Sequence, residues 1–340
     1  MKAVAVIEAG KVEVVDIPIP ECGKYECLVK VGACGLCNST DLKIISDQIS
    51  NVKVQYPVIL GHEGVGEIIE KGSKVRNLKV GEIVLSPVGK MAAGVPYNLM
   101  YGGMAQYCIA HDVKAMLEDG IELPFVLERY PMRKFSKDIS FEDAGVVLTL
   151  KENYSALINF GMKPGMDVLI YGDGPVGMGL ANFSRVINAG WVGCVGHRKD
   201  RLDKILSIAK ADMVINSHDE SLDEKLGDKH FDLIIDAVGK TDIIKQAAKR
   251  LKPGGKVGCY GVLKPGDSTF DLFDLPNHVS LHMLNWPYRQ HDMQDEIIDM
   301  ILTGKINPKD YYSHVLPIDE VVKGIKLIES REAYKVVLKM

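Results

Sequence analysis

Val168-Leu169-Ile170-Tyr171-Gly172-Asp173-Gly174-Pro175-Val176-Gly177 is an apolar run that ends in a glycine-rich turn, and Met178 to Ala189 continue it with helical spacing. A run this short and this apolar suits a strand buried on both faces. The glycines stand where a phosphate-binding strand-turn-helix needs them. Gly172 permits the tight turn, Gly174 lets backbone approach a pyrophosphate, and Gly177 allows close helix-strand packing. Pro175 and Val176 complete the turn, and the helix N-terminus offers free N–H groups and a positive dipole end to the phosphates. The glycine spacing alone is a weak signal; its position between strand and helix gives it weight.

Outward from this turn, further apolar runs alternate with amphipathic stretches: Val192-Gly193-Cys194-Val195, Met213-Val214-Ile215, Leu233-Ile234-Ile235-Asp236 and Lys256-Val257-Gly258-Cys259-Tyr260. The pattern predicts an α/β unit over 154–288, a doubly wound parallel sheet of the Rossmann type. Upstream the period changes to two. Val12-Glu13-Val14-Val15, Cys27-Leu28-Val29-Lys30-Val31, Gly64-Val65-Gly66-Glu67-Ile68-Ile69 and Glu82-Ile83-Val84-Leu85, set among glycines and prolines, predict a β-barrel-like domain over 1–153, which 289–340 rejoin. Residues 118–140, with Pro124, Phe125, Leu127, Tyr130, Pro131 and Phe135 among charges, predict an irregular functional loop.

Composition narrows the function. The chain has 340 residues, enough for two domains, and its 41 basic and 45 acidic residues give a net charge of −4. No block of like charge serves nucleic acid or an anionic membrane, and no apolar run approaches the ~20 residues that cross a bilayer. Met1-Lys2-Ala3-Val4-Ala5-Val6 enters strand-like sequence without a signal peptide, so a cytoplasmic protein is expected. Seven dispersed cysteines, at 22, 27, 34, 37, 108, 194 and 259, argue against a disulfide framework.

The end of the second α/β strand bears on the choice of dinucleotide. NAD would call for a carboxylate there, about 20 residues after the glycine turn, to hold the ribose hydroxyls. The strand instead runs into Gly196-His197-Arg198-Lys199. A small residue followed by cations suits a phosphate on the ribose, with Arg198 bidentate and His197 and Lys199 assisting, so NADP(H) is expected in preference to NAD(H).

A second constellation lies in the first domain. Cys34-Gly35-Leu36-Cys37-Asn38-Ser39-Thr40-Asp41 and Gly61-His62-Glu63-Gly64-Val65-Gly66-Glu67 put a thiol, an imidazole and a carboxylate within reach of one cation. Sulfur and nitrogen together suit zinc, and a donor set too small to close the coordination shell marks a catalytic site. The CxxC spacing of Cys34 and Cys37 also fits half of a zinc ribbon or a redox dithiol, but no second CxxC and no βαβ pattern accompany it, so Cys37 is the expected ligand and Cys34 a packing thiol.

These stretches resemble the zinc-dependent medium-chain dehydrogenase/reductases, a family that includes alcohol, polyol and threonine dehydrogenases. The marks are Gly32 to Cys37, Gly61 to Gly66, Gly81-Glu82-Ile83-Val84, Gly172 to Gly177, Asp232 to Gly239, Lys252-Pro253-Gly254-Gly255 and Lys335-Val336-Val337-Leu338. The resemblance implies a GroES-like catalytic domain beside the Rossmann domain. It implies Cys37 and His62 as zinc ligands, Glu63 at or just behind the metal, and Val238 at the cofactor.

Three departures stand out. The position that usually supplies a further ligand is Leu148, which cannot bind zinc; one helical turn later stands Glu152, expected as a substitute ligand, a general base or a substrate-binding carboxylate. The proton-relay hydroxyl matches Thr40, with Ser39 competing, and Lys43 takes the outer relay position. No cysteine lies between Ser86 and Tyr107, so the family's second, structural zinc is expected to be absent. The expected reaction is hydride transfer between NADP(H) and a secondary alcohol or ketone, with Asn38, Thr40, Pro57, Tyr97 and Tyr101 near a polyol or sugar-derived substrate. The alternatives are a zinc-free NADPH-dependent quinone or enoyl reductase of the same superfamily and a non-catalytic dinucleotide-binding redox sensor. Leu281 to Trp286 resemble an edge strand at the seam of a homodimer or homotetramer.

Overall fold

The strands of the computed structural model are β1 (Lys2–Glu8), β2 (Lys11–Asp16), β3 (Glu26–Leu36), β4 (Val58–Ile59), β5 (Glu63–Lys71), β6 (Ile83–Leu85), β7 (Asn98–Leu99), β8 (Tyr107–His111), β9 (Arg133–Phe135), β10 (Asp167–Tyr171), β11 (Trp191–Gly196), β12 (Met213–Asn216), β13 (Phe231–Asp236), β14 (Leu251–Cys259), β15 (Ser280–Met283), β16 (His314–Pro317) and β17 (Val336–Lys339). The helices are α1 (Thr40–Ile45), α2 (Val113–Glu118), α3 (Phe141–Ala144), α4 (Val147–Phe160), α5 (Pro175–Val186), α6 (Lys199–Ile208), α7 (Leu222–Leu226), α8 (Thr241–Lys249), α9 (Gln294–Leu302) and α10 (Val321–Glu329). The structure describes all residues except 50–52, 93, 125–126, 128–131, 264–265, 268, 270, 272, 274 and 285–288. The chain gathers into two units, Met1–Leu148 with Gln294–Met340, and Thr149–Met293.

In the first unit a sheet in the order β16-β17-β3-β5-β6-β9, with β8 also on β3, is antiparallel except for the β16/β17 pair. A smaller sheet runs β2-β1-β4-β7. Period-two alternation buries Val4, Val6, Leu36, Leu60 and Leu338 in one core, which α10 covers with Val321, Ile325 and Ile328. Each such side chain contributes about 1.5–3 kcal/mol by leaving water. A second cluster of Ala3, Ala5, Ile17, Ile59 and Ala105 takes Met91, Val95, Tyr97 and Leu99 against it. The segment after β6 is therefore anchored by apolar packing.

The other unit is a parallel sheet in the order β12-β11-β10-β13-β14-β15. Its strands are apolar on both faces, as in Leu169, Ile170, Val192, Ile234 and Val257, all buried. From β10 the chain builds outward to β11 and β12, then returns to place β13 on the other side of β10. The order reverses at the carboxyl ends of β10 and β13, where a doubly wound sheet binds its ligand.

Several local expectations are corrected. The helix expected from Met178 starts at Pro175, because the glycine turn is its own first turn with Gly174 as N-cap. Residues 118–140 are less irregular than their composition suggests: Arg133–Phe135 pair with β6, and Ser140 caps α3 by accepting from Asp143 N–H. Such a three-residue strand is recorded in its partner rather than in its own pattern. Phe125, Tyr130 and Pro131 lie outside the described residues. The edge strand expected over 281–286 is β15, Ser280–Met283, at the margin of the parallel sheet. Trp286 lies outside the described residues.

Candidate active site

Three strand ends meet in the first unit. The β3/β5 register pairs Gly35 with Glu63, which brings Cys37, just past β3, beside His62, just before β5. The β17/β3 register pairs Val336 with Leu36, which sets Lys335 alongside. A Cβ on Gly35 would lie 2.2 Å from Glu63 Oε2, so only glycine leaves room for that carboxylate. The ligand atoms of Cys37, His62 and Glu63 all lie within 4.8 Å of one another.

The surrounding groups hold these donors in place. Asp41, fully buried on α1, accepts a hydrogen bond from Cys37 N–H at 2.8 Å, and its other oxygen lies 3.4 Å from His62 Nδ1. That orientation leaves Nε2 toward the other donors, 3.8 Å from Glu63 Oε1. A carboxylate behind a histidine is the usual support of a metal-binding imidazole. Cys37 Sγ accepts from Thr40 N–H at 3.3 Å, so the sulfur does for α1 what the Ser39 side chain does not. The His62 ring lies against Tyr101, with centroids 5.3 Å apart.

Electrostatics favour a cation here. Burial pushes the His62 imidazole toward its neutral form, but the charge and hydrogen bonding of Asp41, and then Cys37, outweigh it and raise the value well above the ordinary one. Lys335 is 3 % exposed and donates to Glu63 Oε1 at 2.7 Å. Burial opposes its charge, while Glu63, Cys37 and Asp41 raise its value. A field that would hold an extra proton attracts a dication equally well. With Cys37 as thiolate, the three anions Cys37, Asp41 and Glu63 are balanced by Lys335 and one dication, leaving His62 neutral. The residues fit zinc in donor type, spacing and charge.

Cys34 lies within the apolar core beside Leu36 and Val4, and burial pushes its thiol well up. Ser39 is exposed; Thr40 and Lys43 are half-buried on α1. Asn38 donates to Tyr334 O at 2.7 Å, while its buried Oδ1 has no hydrogen-bond partner. Tyr97, expected among the polar lining, packs on the second apolar cluster and is partly buried there. Pro57 presents its carbonyl to Asn98 N–H. Leu148 is buried on α4; Glu152, one turn on, belongs to the second unit and is half-buried.

In the second unit Gly172 (φ +127°), Gly174 and Gly177 shape the turn after β10. A Cβ on Gly177 would sit 1.9 Å from Gly172 O, whereas one on Gly174 would meet nothing within 4 Å. Gly174 thus leaves open space beside the backbone at the N-terminus of α5, which suits a pyrophosphate. Asp236, fully buried at the end of β13, accepts from the N–H groups of Val238, Gly239 and Lys240 at 2.8, 2.9 and 3.0 Å and fixes the loop that leaves Val238 exposed. Burial raises the Asp236 carboxyl, and those N–H groups oppose the rise.

Sequence reasoning missed four residues here: Asp41, Lys335, Asp173 and Asp236. Asp173, the variable residue of the glycine turn, reaches across to accept from His197 N–H and Arg198 N–H at 2.7 and 2.8 Å. A Cβ on Gly196 would lie 2.6 Å from Asp173 Cβ, which is why a small residue ends β11. Arg198 pairs with Asp200 and Lys199 with Asp203, at 3.4 and 3.3 Å. All four stand in stretches quoted above, but only Asp41 carried a signal of its role, as an acid one helical turn after the candidate cysteine.

A doubly wound dinucleotide sheet and an antiparallel unit carrying a Cys-His-Glu donor set define the class of pyridine-nucleotide oxidoreductases with a metal-binding domain. Residues 23–120 match the alcohol dehydrogenase GroES-like domain and residues 175–303 the zinc-binding dehydrogenase domain. The chain is 31 % identical over 291 residues to an alcohol dehydrogenase of Geobacillus stearothermophilus, covering 81 % of each chain. It is 27 % identical over 356 residues to the NADP-dependent isopropanol dehydrogenase of Entamoeba histolytica, covering 98 % of this chain and 93 % of that one. The fold matches 2R,3R-butanediol dehydrogenase of Bacillus subtilis with a TM-score of 0.82 at 18 % identity, over 100 % and 99 % of the two chains. The chain belongs to the zinc-dependent medium-chain dehydrogenase/reductases and is an NAD(P)-dependent oxidoreductase acting on CH–OH donors.

Proposed function

We propose that this enzyme interconverts a secondary alcohol and its ketone with NADP(H), using one zinc ion held by Cys37, His62 and Glu63. The observation that carries the reading is that donor set, oriented by Asp41 and balanced by Lys335. Bound there, zinc supplies a Lewis acid for the substrate oxygen, and the nicotinamide supplies or accepts the hydride.

The chain's own residues do the rest. Thr40, at the start of α1, takes the proton of the alcohol and passes it outward; Ser39 is the alternative hydroxyl and Lys43 the outer carrier. Glu152 is the proposed substitute for the ligand that Leu148 cannot supply, or a general base, or a substrate-binding carboxylate. Gly172 to Gly177 hold the pyrophosphate, with Val238 against the cofactor, and Gly196, His197, Arg198 and Lys199 receive the ribose phosphate. Asn38, whose Oδ1 is buried without a partner, favours a substrate with further hydroxyls, a polyol or sugar-derived alcohol. A single zinc, a cytoplasmic location and a homodimer or homotetramer built on the β15 edge complete the proposal. Among the described residues no helix is long and apolar enough to cross a membrane.

The test is metal analysis joined to kinetics. We expect about one zinc per chain, loss of turnover on exhaustive chelation, recovery with zinc alone, and a higher kcat/KM with NADPH than with NADH across a panel of secondary alcohols, polyols and their ketones. Full activity in stripped enzyme would overturn the zinc reading and favour the zinc-free reductase.

A further inference from the structure

Beside the backbone loop that Asp173 holds, two imidazoles lie together. The rings of His197, after β11, and His218, after β12, have centroids 4.4 Å apart, and both residues are exposed. Ser217 joins them to the sheet: its hydroxyl donates to Gly196 O at 3.2 Å and lies 2.9 Å from His197 Nδ1. With that hydrogen on Gly196, Ser217 Oγ accepts from His197 Nδ1–H; with it turned to the ring, the hydroxyl donates to Nδ1. In either arrangement the neutral ring keeps one nitrogen that can take up a proton.

Resting on the NADP(H) reading above, we propose that His197, Ser217 and His218 form the element that reads the ribose 2′-phosphate, and that seating the phosphate is coupled to proton uptake by the imidazole pair. Two imidazolium rings this close repel each other, which opposes charging both at once. A dianion placed against the pair removes that penalty and draws protons in. NADH, lacking the phosphate, provides no such pull.

The carboxylates on the neighbouring elements are engaged elsewhere. Asp173 Oδ2 is held by the His197 and Arg198 N–H groups, Asp200 by Arg198, and Asp203 by Lys199. Asp219 accepts from Asn216 Nδ2 at 2.6 Å, and Glu220 accepts from Asn216 N–H and pairs with Lys225. Arg198 and Lys199 are the cations beside the pair and add affinity for the phosphate through their charge. Discrimination between the two cofactors therefore depends on pH through the imidazoles.

The experiment uses zinc-loaded enzyme and titrates NADPH and NADH by calorimetry at pH 7.5 in HEPES and in Tris, whose ionisation enthalpies differ. The 2′-phosphate, with a second pKa near 6, is already a dianion there, so proton uptake reports protein groups. We expect NADPH to bind with net uptake of a fraction of a proton up to about one, and NADH with none. Linked to it, the ratio of NADH to NADPH dissociation constants falls about tenfold from pH 6.5 to 8.5. In His218→Asn the uptake shrinks and the ratio flattens. Tight, selective NADPH binding with a pH-independent ratio and no uptake overturns this inference while leaving the NADP reading intact. NADH preferred at every pH overturns both.

Discussion

Asp41 is the residue on which the proposed metal site turns, because its two oxygens reach Cys37 N–H and His62 Nδ1 together. Replacing it with Asn keeps the volume and the Cys37 contact but removes the charge behind the imidazole. We expect Asp41→Asn to fold and to lose 10- to 100-fold in zinc affinity, measured by competition with a chromogenic chelator. Cys37→Ser should lose the metal outright and with it all but a trace of turnover; a metal-replete, active Cys37→Ser protein would remove Cys37 from the ligand set. The grouping of Cys37, His62 and Glu63 was legible because the proposed zinc chemistry restricts the residue types and glycines mark the close approaches. Asp41 and Lys335 were not, since their roles depend on how α1 folds back and on a strand register that joins positions far apart in the chain.

The glycine turn shows how much one element can specify. The sequence 168–177 dictates a strand, a turn and a helix start, and the structure adds the reason Gly177 tolerates no side chain. Gly177→Ala forces a Cβ onto the Gly172 carbonyl. We expect a loss of about 2–3 kcal/mol in stability, read by urea denaturation, and NADP(H) binding weakened at least tenfold. The neighbouring carboxyl end of β11 was legible only by type. Its small residue and following cations can be read from the chain, but the Asp173 side chain that requires the small residue comes from a different loop. Short strands such as β9 are the least legible, because their pairing with β6 supplies the information that three residues cannot.

Over the whole molecule, acid stability depends on carboxylates held below their ordinary range. Glu26, where β3 begins, takes a hydrogen bond from His111; burial opposes, Lys90 and Gly23 N–H reinforce, and the carboxyl falls to about 2. A depressed value stabilises above the ordinary carboxylate range and is lost as pH falls from about 4.5 toward 2. Glu26→Gln should therefore lower stability by on the order of 2 kcal/mol at pH 7, and the difference should vanish near pH 2, as thermal melts at the two pH values will show. The division into an α/β unit and an antiparallel unit was legible from the change of hydrophobic period. The segment after β6 was legible only as lacking cysteines; its packing through Val95 and Leu99 became visible with the fold.

The lysine that pairs with Glu63 sits nearly three hundred positions after Cys37, with the whole nucleotide-binding unit translated in between. A chain emerging from the ribosome carries Cys37, His62 and Glu63 long before it can supply that counter-charge. Until β17 joins the sheet, the buried carboxylate therefore lacks the ammonium group that offsets its charge in the folded chain.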